Sequence, residues 1–184
     1  QRPLSVLNSI IEGLKAGNPS TPSNILLVGS RSTGKTDLAT YAAHMSGGVP
    51  SFNMVSPKDE YVGKSEKNTR NCFSLLSQYS PSIAITDEIE LLIPVDRNKQ
   101  YNDSGTSEVI IGIFQEFLSD RSRNGSTLFI STSNRPTMGA SMLERFEIIL
   151  PVISPLEVDY PAIIVELCKS INPEFDFSSN DMII

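Results

Sequence analysis

The residues with the clearest chemistry are the run "GSRSTGKT" from Gly29 to Thr36. They fit the spacing G-x-x-x-x-G-K-[ST] at every fixed position. The apolar run "NILLV" precedes them and the helix-forming "TDLATYAAHM" follows, so the context is a strand running into a helix. Each residue type has a physical task in holding phosphate. Gly29 and Gly34 let the backbone turn tightly and aim N–H groups inward. Lys35 reaches the β- and γ-phosphates as a point charge. Thr36 offers a hydroxyl to Mg²⁺. The helix beginning near Lys35 adds its positive end. Ser30, Arg31, Ser32 and Thr33 complete the loop and Asp37 follows it, so the whole stretch is expected to contact nucleotide. Arg31 is expected to point to solvent, with a phosphate contact as the alternative. The loop by itself says only nucleotide: kinases, GTPases, helicases and motors share it.

A second group narrows the chemistry. "SIAITDEIE" is an apolar run ending in Asp87 and Glu88. The carboxyl end of a central strand is where open α/β sheets bind ligands. There Asp87 can hold Mg²⁺ and Glu88 can polarise an attacking water, which points to ATP hydrolysis. The ordinary alternative is a solvated helix start, because acids favour helix N-termini. Glu90 is expected to be a surface or structural group.

Composition limits the other classes. The chain has 184 residues, 39% of them hydrophobic, with a net charge of −6. This length suits one domain with a small appendage. No apolar run approaches the roughly 18–20 residues of a membrane helix, so no membrane insertion is expected. The acidic balance disfavours a nucleic-acid binder. His44 is the only histidine, which argues against a His triad or a multi-His metal site. Cys72 and Cys168 are far apart and read as two buried thiols. The sequence opens on Gln1 rather than Met, as expected of a piece of a longer protein. With no targeting segment visible, the expected location is cytoplasmic.

The elements that must position these groups alternate. Residues 4–16 place Leu4, Leu7, Ile10, Ile11 and Leu14 on one helical face, and "GNPSTPS" breaks that helix. Strands are predicted at "NILLVG", "PSFNMV", "PSIAITDEIELLI", which runs into acids, "STLFISTSN" and "EIILPV". Between them lie helices at "SEKNTRNCFSLLSQY", with Cys72, Phe73, Leu75 and Leu76 in the core, and at "EVIIGIFQEFLSD". Residues 95–107 read as a polar loop. "EVDYPAIIVELCKSI" is a final helix with Pro161 in its first turn. Alternation of this kind predicts an α/β fold with a mainly parallel sheet.

Taken in order, "ILLVGSRSTGKT", "YVGKSEKNTR", "PSIAITDEIELL", "STSNRP" and "LERFEIILPV" resemble the AAA (AAA+) ATPases, and most closely their protein-remodelling branch, which includes the N-ethylmaleimide-sensitive factor and related unfoldases. The likeness covers about residues 20–172. It implies a P-loop NTPase with a three-layer α/β/α body around a five-stranded sheet, followed by a helical lid that is incomplete here. The implied segments are an N-terminal helix and linker at 1–23, the ATPase body at 24–154 and the start of the lid at 155–184.

The resemblance also implies ATP bound between subunits of a ring, usually a hexamer. Lys35 and Thr36 would be Walker A contacts, Asp87 would organise Mg²⁺, and Glu88 would be the catalytic base. Asn134 matches the sensor residue that helps position water; a turn-forming Asn is the plain alternative. Tyr61, Val62 and Gly63 match a pore loop that grips a polypeptide, the alternative being core or interface packing. Arg145 is the best match for an arginine finger. "MLERFEIILP" is shorter than the family's usual stretch there and carries one arginine instead of two, which puts the subunit interface in doubt. Two other functions stay open: a degenerate ring subunit that binds nucleotide for assembly, and a nucleic-acid motor or clamp loader.

Overall fold

The computed structural model describes residues 2–54, 64–92, 106–135 and 138–172. The chain forms two compact units, Gln1–Val152 and Ile153–Ile184. The first is built on five parallel strands: β1 (Asn24–Val28), β2 (Ser51–Asn53), β3 (Ser82–Thr86), β4 (Thr127–Ser133) and β5 (Ile148–Pro151). Their order across the sheet is β2-β3-β4-β1-β5. The expectation of an α/β fold with a five-stranded parallel sheet is met.

The central strands show why. Every residue of β3 and β4 is buried, as are the first four of β1. Strands covered on both faces read as continuous apolar runs rather than alternating ones. One face of the sheet, carrying Leu26, Ala84 and Phe129, packs on α3 (Lys64–Gln78) and α5 (Thr106–Ser119) through Phe73, Leu76, Phe114 and Phe117. The rings of Phe73 and Phe117 stack 3.8 Å apart. The other face, carrying Ile25, Leu27, Ile83, Ile85, Leu128 and Ile130, packs on α1 (Arg2–Lys15) and α2 (Lys35–Met45). The helix of segment 1–23 is therefore a layer of the same unit as the sheet.

Several expectations need correction. On α1, Leu7, Ile10, Ile11 and Leu14 are buried, but Leu4, at the open end of the stripe, is exposed. On α3 the buried stripe is Thr69, Phe73 and Leu76, at helical spacing. Cys72 and Leu75 lie off that stripe and are exposed. Neither cysteine is a buried thiol: both are free, and Cys168 is half-buried. Of the predicted loop at 95–107, residues 106 and 107 open α5, and 95–105 lie outside the described residues. The predicted third strand stops at Thr86: the chain turns at Glu88, whose φ is positive, and Ile89–Leu92 form the short helix α4 instead of more strand. A second four-residue helix, α6 (Ala140–Leu143), was not foreseen.

In the second unit, a 3₁₀ turn at Glu157–Asp159 leads into α7 (Tyr160–Ile171), with Pro161 in the first turn. The Leu156 N–H donates to Asp159 Oδ2 at 2.9 Å and sets the entry to that turn.

Candidate active site

The loop from Gly29 to Gly34 joins β1 to α2. Its first residue extends the sheet, the Gly29 N–H donating to the Ser133 carbonyl at 3.2 Å. A Cβ at Gly29 would collide with the Val152 carbonyl oxygen, so only glycine fits. Two residues take left-handed backbone, Ser32 (φ 60°) and Gly34 (φ 84°). The Ser30 carbonyl ties the loop together, accepting from Thr33 Oγ1 at 3.0 Å and from Lys35 Nζ at 2.6 Å. Lys35 is 5% exposed. A buried ammonium has three donors to satisfy, and the Ser30 carbonyl takes one. Gly34 caps α2 without a side-chain hydrogen bond, which leaves the first amides of the helix suited to an anion.

The opposite wall comes from the ends of β3 and β4. Thr36 Oγ1 donates to Asp87 Oδ1 at 2.9 Å. Thr132 Oγ1 donates to the same oxygen at 2.5 Å, and also accepts from the Glu88 N–H at 2.9 Å. Glu88 takes positive φ, 48°, an uncommon conformation for a non-glycine residue and one that clusters at functional sites. Asn134 Nδ2 donates to Glu88 Oε1 at 2.5 Å. The Asn134 N–H donates to Glu90 Oε1 at 2.9 Å, so Glu90 is structural. Ser133 Oγ donates to the Arg135 carbonyl at 2.8 Å and shapes the turn that carries Asn134.

Together these residues enclose a cavity of about 310 Å³, lined by Arg31, Ser32, Thr33, Gly34, Lys35, Thr36, Asp37, Asp87, Glu88 and Asn134. Gly29 and Ser30 are not among the lining residues; the Ser30 carbonyl acts on the loop through Thr33 and Lys35. Arg31 is exposed yet borders the cavity. Arg145 is not brought in. Its Nε donates to Ser119 Oγ at 3.0 Å and its Nη1 donates to the Ser141 carbonyl. Tyr61, Val62 and Gly63 lie outside the described residues. Thr132 was missed; its only trace in the sequence is polar "STS" closing an otherwise apolar strand.

Among the described residues no cluster of three or more His, Cys, Asp or Glu forms a metal cage. Mg²⁺ does not need one, since it takes one or two protein oxygens, keeps several waters and shares substrate phosphates. The adjacent oxygens of Thr36 and Asp87 fit that requirement, and the buried Lys35 with the open end of α2 fits the phosphates.

Residues 25–153 match the family model described as "ATPase family associated with various cellular activities (AAA)". The chain belongs to the AAA ATPase family. This AAA domain is 32% identical over 128 residues to the ATPase family gene 2 protein of Saccharomyces cerevisiae, covering 68% of the chain and 16% of that protein. It is 33% identical over 132 residues to the Cell division cycle protein 48 homolog of Archaeoglobus fulgidus, covering 69% and 17%. With Vacuolar protein sorting-associated protein 4A of Homo sapiens it shares 32% over 130 residues, covering 67% and 28%. The AAA domain thus spans less than a third of the length of each of these relatives. Its fold is similar to a solved crystal structure of the FIGL-1 AAA domain in complex with ADP, with a TM-score of 0.67 and 23% identity, over 88% of this chain and 52% of that one.

Proposed function

We propose that this AAA domain hydrolyses ATP with water and, within a ring of subunits, couples turnover to movement of a polypeptide. The observation that carries the hydrolytic part is the chain of hydrogen bonds Thr36–Asp87–Thr132–Glu88–Asn134, all of whose members but Thr132 line the phosphate-loop cavity. Lys35 and the first turn of α2 draw the phosphates to the loop. Thr36 and Asp87 would hold Mg²⁺, which when bound would neutralise charge on the phosphate oxygens. Glu88 accepts a proton from the attacking water as its oxygen bonds to the γ-phosphorus and the bond to the β–γ bridging oxygen breaks. ADP and phosphate leave. Asn134 keeps the Glu88 carboxylate turned toward the cavity.

The mechanical part rests on sequence and kinship. "YVG" at 61–63 is an aromatic-aliphatic-glycine run ahead of α3, and a relative named for vacuolar protein sorting supports work on proteins. A homo-hexameric or mixed ring, with Arg145 reaching a neighbour's nucleotide, and a cytoplasmic location complete the proposal.

The test is steady-state ATP turnover by the full-length protein. Glu88→Gln is expected to keep nucleotide binding and to cut turnover by about 10²-fold or more, the scale of a lost general base. Full turnover in that variant would remove Glu88 from its role. Tyr61→Ala is expected to spare basal hydrolysis and abolish work on a protein substrate.

A second reading has its own observation. Arg145 is hydrogen-bonded to Ser119 and Ser141 of its own chain. A subunit whose finger stays so engaged would bind nucleotide for assembly only. ATP binding without steady turnover in the assembled protein favours this reading.

A further inference from the structure

Thr132 stands where two requirements of the site meet. It is fully buried, near the end of β4. A hydroxyl has one proton and two lone pairs. The proton goes to Asp87 Oδ1, and one lone pair takes the Glu88 N–H. The direction of both bonds follows, because an ionised carboxylate can only accept and a backbone amide can only donate. Thr36 donates to the same Asp87 oxygen. The carboxylate is therefore held from two sides: by the helix that follows the phosphate loop and by the strand that leads to Asn134. Glu88 is held in turn, since its left-handed backbone is the point where the chain leaves β3.

We infer that Thr132 is a positioning residue that locks the orientation of Asp87 to the backbone turn of Glu88. This rests on the reading of Asp87 as the metal-side carboxylate and Glu88 as the base. The hydroxyl of Thr36 has two claims on it, Asp87 and Mg²⁺. Thr132 has no place in the cavity lining and can keep Asp87 fixed whatever Thr36 is doing. Groups one step behind a metal ligand act in this way on affinity and on rate.

The experiment compares Thr132→Val, which keeps the shape and loses the hydroxyl, with Thr132→Ser, which keeps the hydroxyl, both in the full-length protein. Binding of a fluorescent ATP analogue is measured in EDTA and across a Mg²⁺ titration, alongside kcat and KM. For Thr132→Val we expect the Mg²⁺ midpoint to rise and kcat to fall, each by about tenfold. Affinity in EDTA, set by the phosphate loop, should stay within about twofold of wild type. Thr132→Ser should restore both. Wild-type Mg²⁺ dependence in the valine variant would overturn the inference. So would equal damage in valine and serine, or a loss in EDTA as large as the loss in Mg²⁺. The Thr132→Ala and Thr132→Ser pair, which differ by one oxygen, repeats the comparison without a branched side chain. A shifted Mg²⁺ midpoint in a protein that does not turn ATP over supports the role of Thr132 while rejecting hydrolysis.

Discussion

The side-chain amide of Asn134 donates to the Glu88 carboxylate across 2.5 Å, joining the end of β4 to the residue pair that closes β3. The Asn134 backbone N–H is fixed as well, by Glu90 Oε1. The amide thus faces Glu88 from a backbone that cannot swing, and its oxygen is not needed for the contact. Asn134→Ala should leave nucleotide affinity near wild type and lower kcat by about 10–10³-fold, the range for loss of one oriented polar partner in an active site. Asn134→Asp should be worse than alanine, because it sets a second negative charge against Glu88. Turnover and nucleotide titration of the two variants check both statements, and equal kcat for all three proteins would contradict them.

Gly29→Ala should damage the fold and the nucleotide site together. The added methyl would press on the Val152 carbonyl, a backbone atom that is itself tied down, the Val152 N–H donating to Val28 at 2.7 Å. Overpacking of this kind costs about 1–3 kcal/mol. Thermal unfolding should show the loss of stability and a nucleotide titration the loss of affinity. Gly34→Ala makes a useful contrast. Open space surrounds Gly34, but its φ of 84° penalises any side chain, so it should disturb the loop without the collision.

Asp120 gives a pH-dependent term. Its carboxylate accepts from the Ser122 hydroxyl at 2.6 Å and from the Ser122 N–H at 2.9 Å, capping the 3₁₀ turn at Arg121–Arg123. The Ser122 hydroxyl bond, above the opposing effect of burial, holds its pKa below the usual 3.8. A carboxyl lowered on folding contributes stability that is present above its unfolded pKa and is lost as pH falls through the folded one. Asp120→Ala should therefore cost about 1 kcal/mol at neutral pH, as lost caps do. The gap to wild type should narrow below pH 3.8. Denaturant titrations at neutral and acidic pH measure it, and a gap that widens in acid would contradict it.

Much of the architecture was legible because strands buried on both faces leave unbroken apolar runs. "NILLV" and "SIAIT" announce themselves in this way. The phosphate loop was legible because its glycines and lysine have few substitutes. Leu75 and Cys72 misled for a physical reason. They are apolar neighbours of a buried stripe, and residue type does not say which side of a helix meets the sheet; the positions of Phe73 and Leu76 decide that. Thr132 could not be found by type. A threonine in a strand is ordinary, and its role appears only when β3 and β4 lie in register and bring it beside Asp87. The place of Arg145 is likewise decided by a tertiary contact with Ser119, beside a local one with the Ser141 carbonyl four residues back.

The base of the sheet is held by a buried arginine whose replacement should separate two effects. Arg123 Nη2 donates to Asn24 Oδ1 at 3.0 Å and to the Phe117 carbonyl at 2.6 Å, and its guanidinium lies 3.7 Å over the Phe117 ring. Asn24 Nδ2 passes the contact on to the carbonyls of Leu118 and Arg145. Burial lowers the Arg123 pKa from its ordinary value to about 10, more than nearby Asp120 and Glu147 restore it. Both folded and unfolded chains stay protonated at neutral pH, so the cost of burying the charge is constant there. It is relieved only as pH rises through about 10, where the folded chain releases the proton and the unfolded chain still holds it. Arg123→Ala leaves a cavity and strips Asn24 Oδ1 of its guanidinium donor, at a cost of about 3–5 kcal/mol. Arg123→Met fills most of the space and removes the buried charge, so it should cost less than half of that. Because the Arg145 carbonyl hangs on Asn24, alanine should also raise hydrogen exchange in the Arg145 turn above the methionine level. Equal stability for the two variants would mean that the lost hydrogen bonds and charge, which both variants remove, and not packing, set the energetics of this corner.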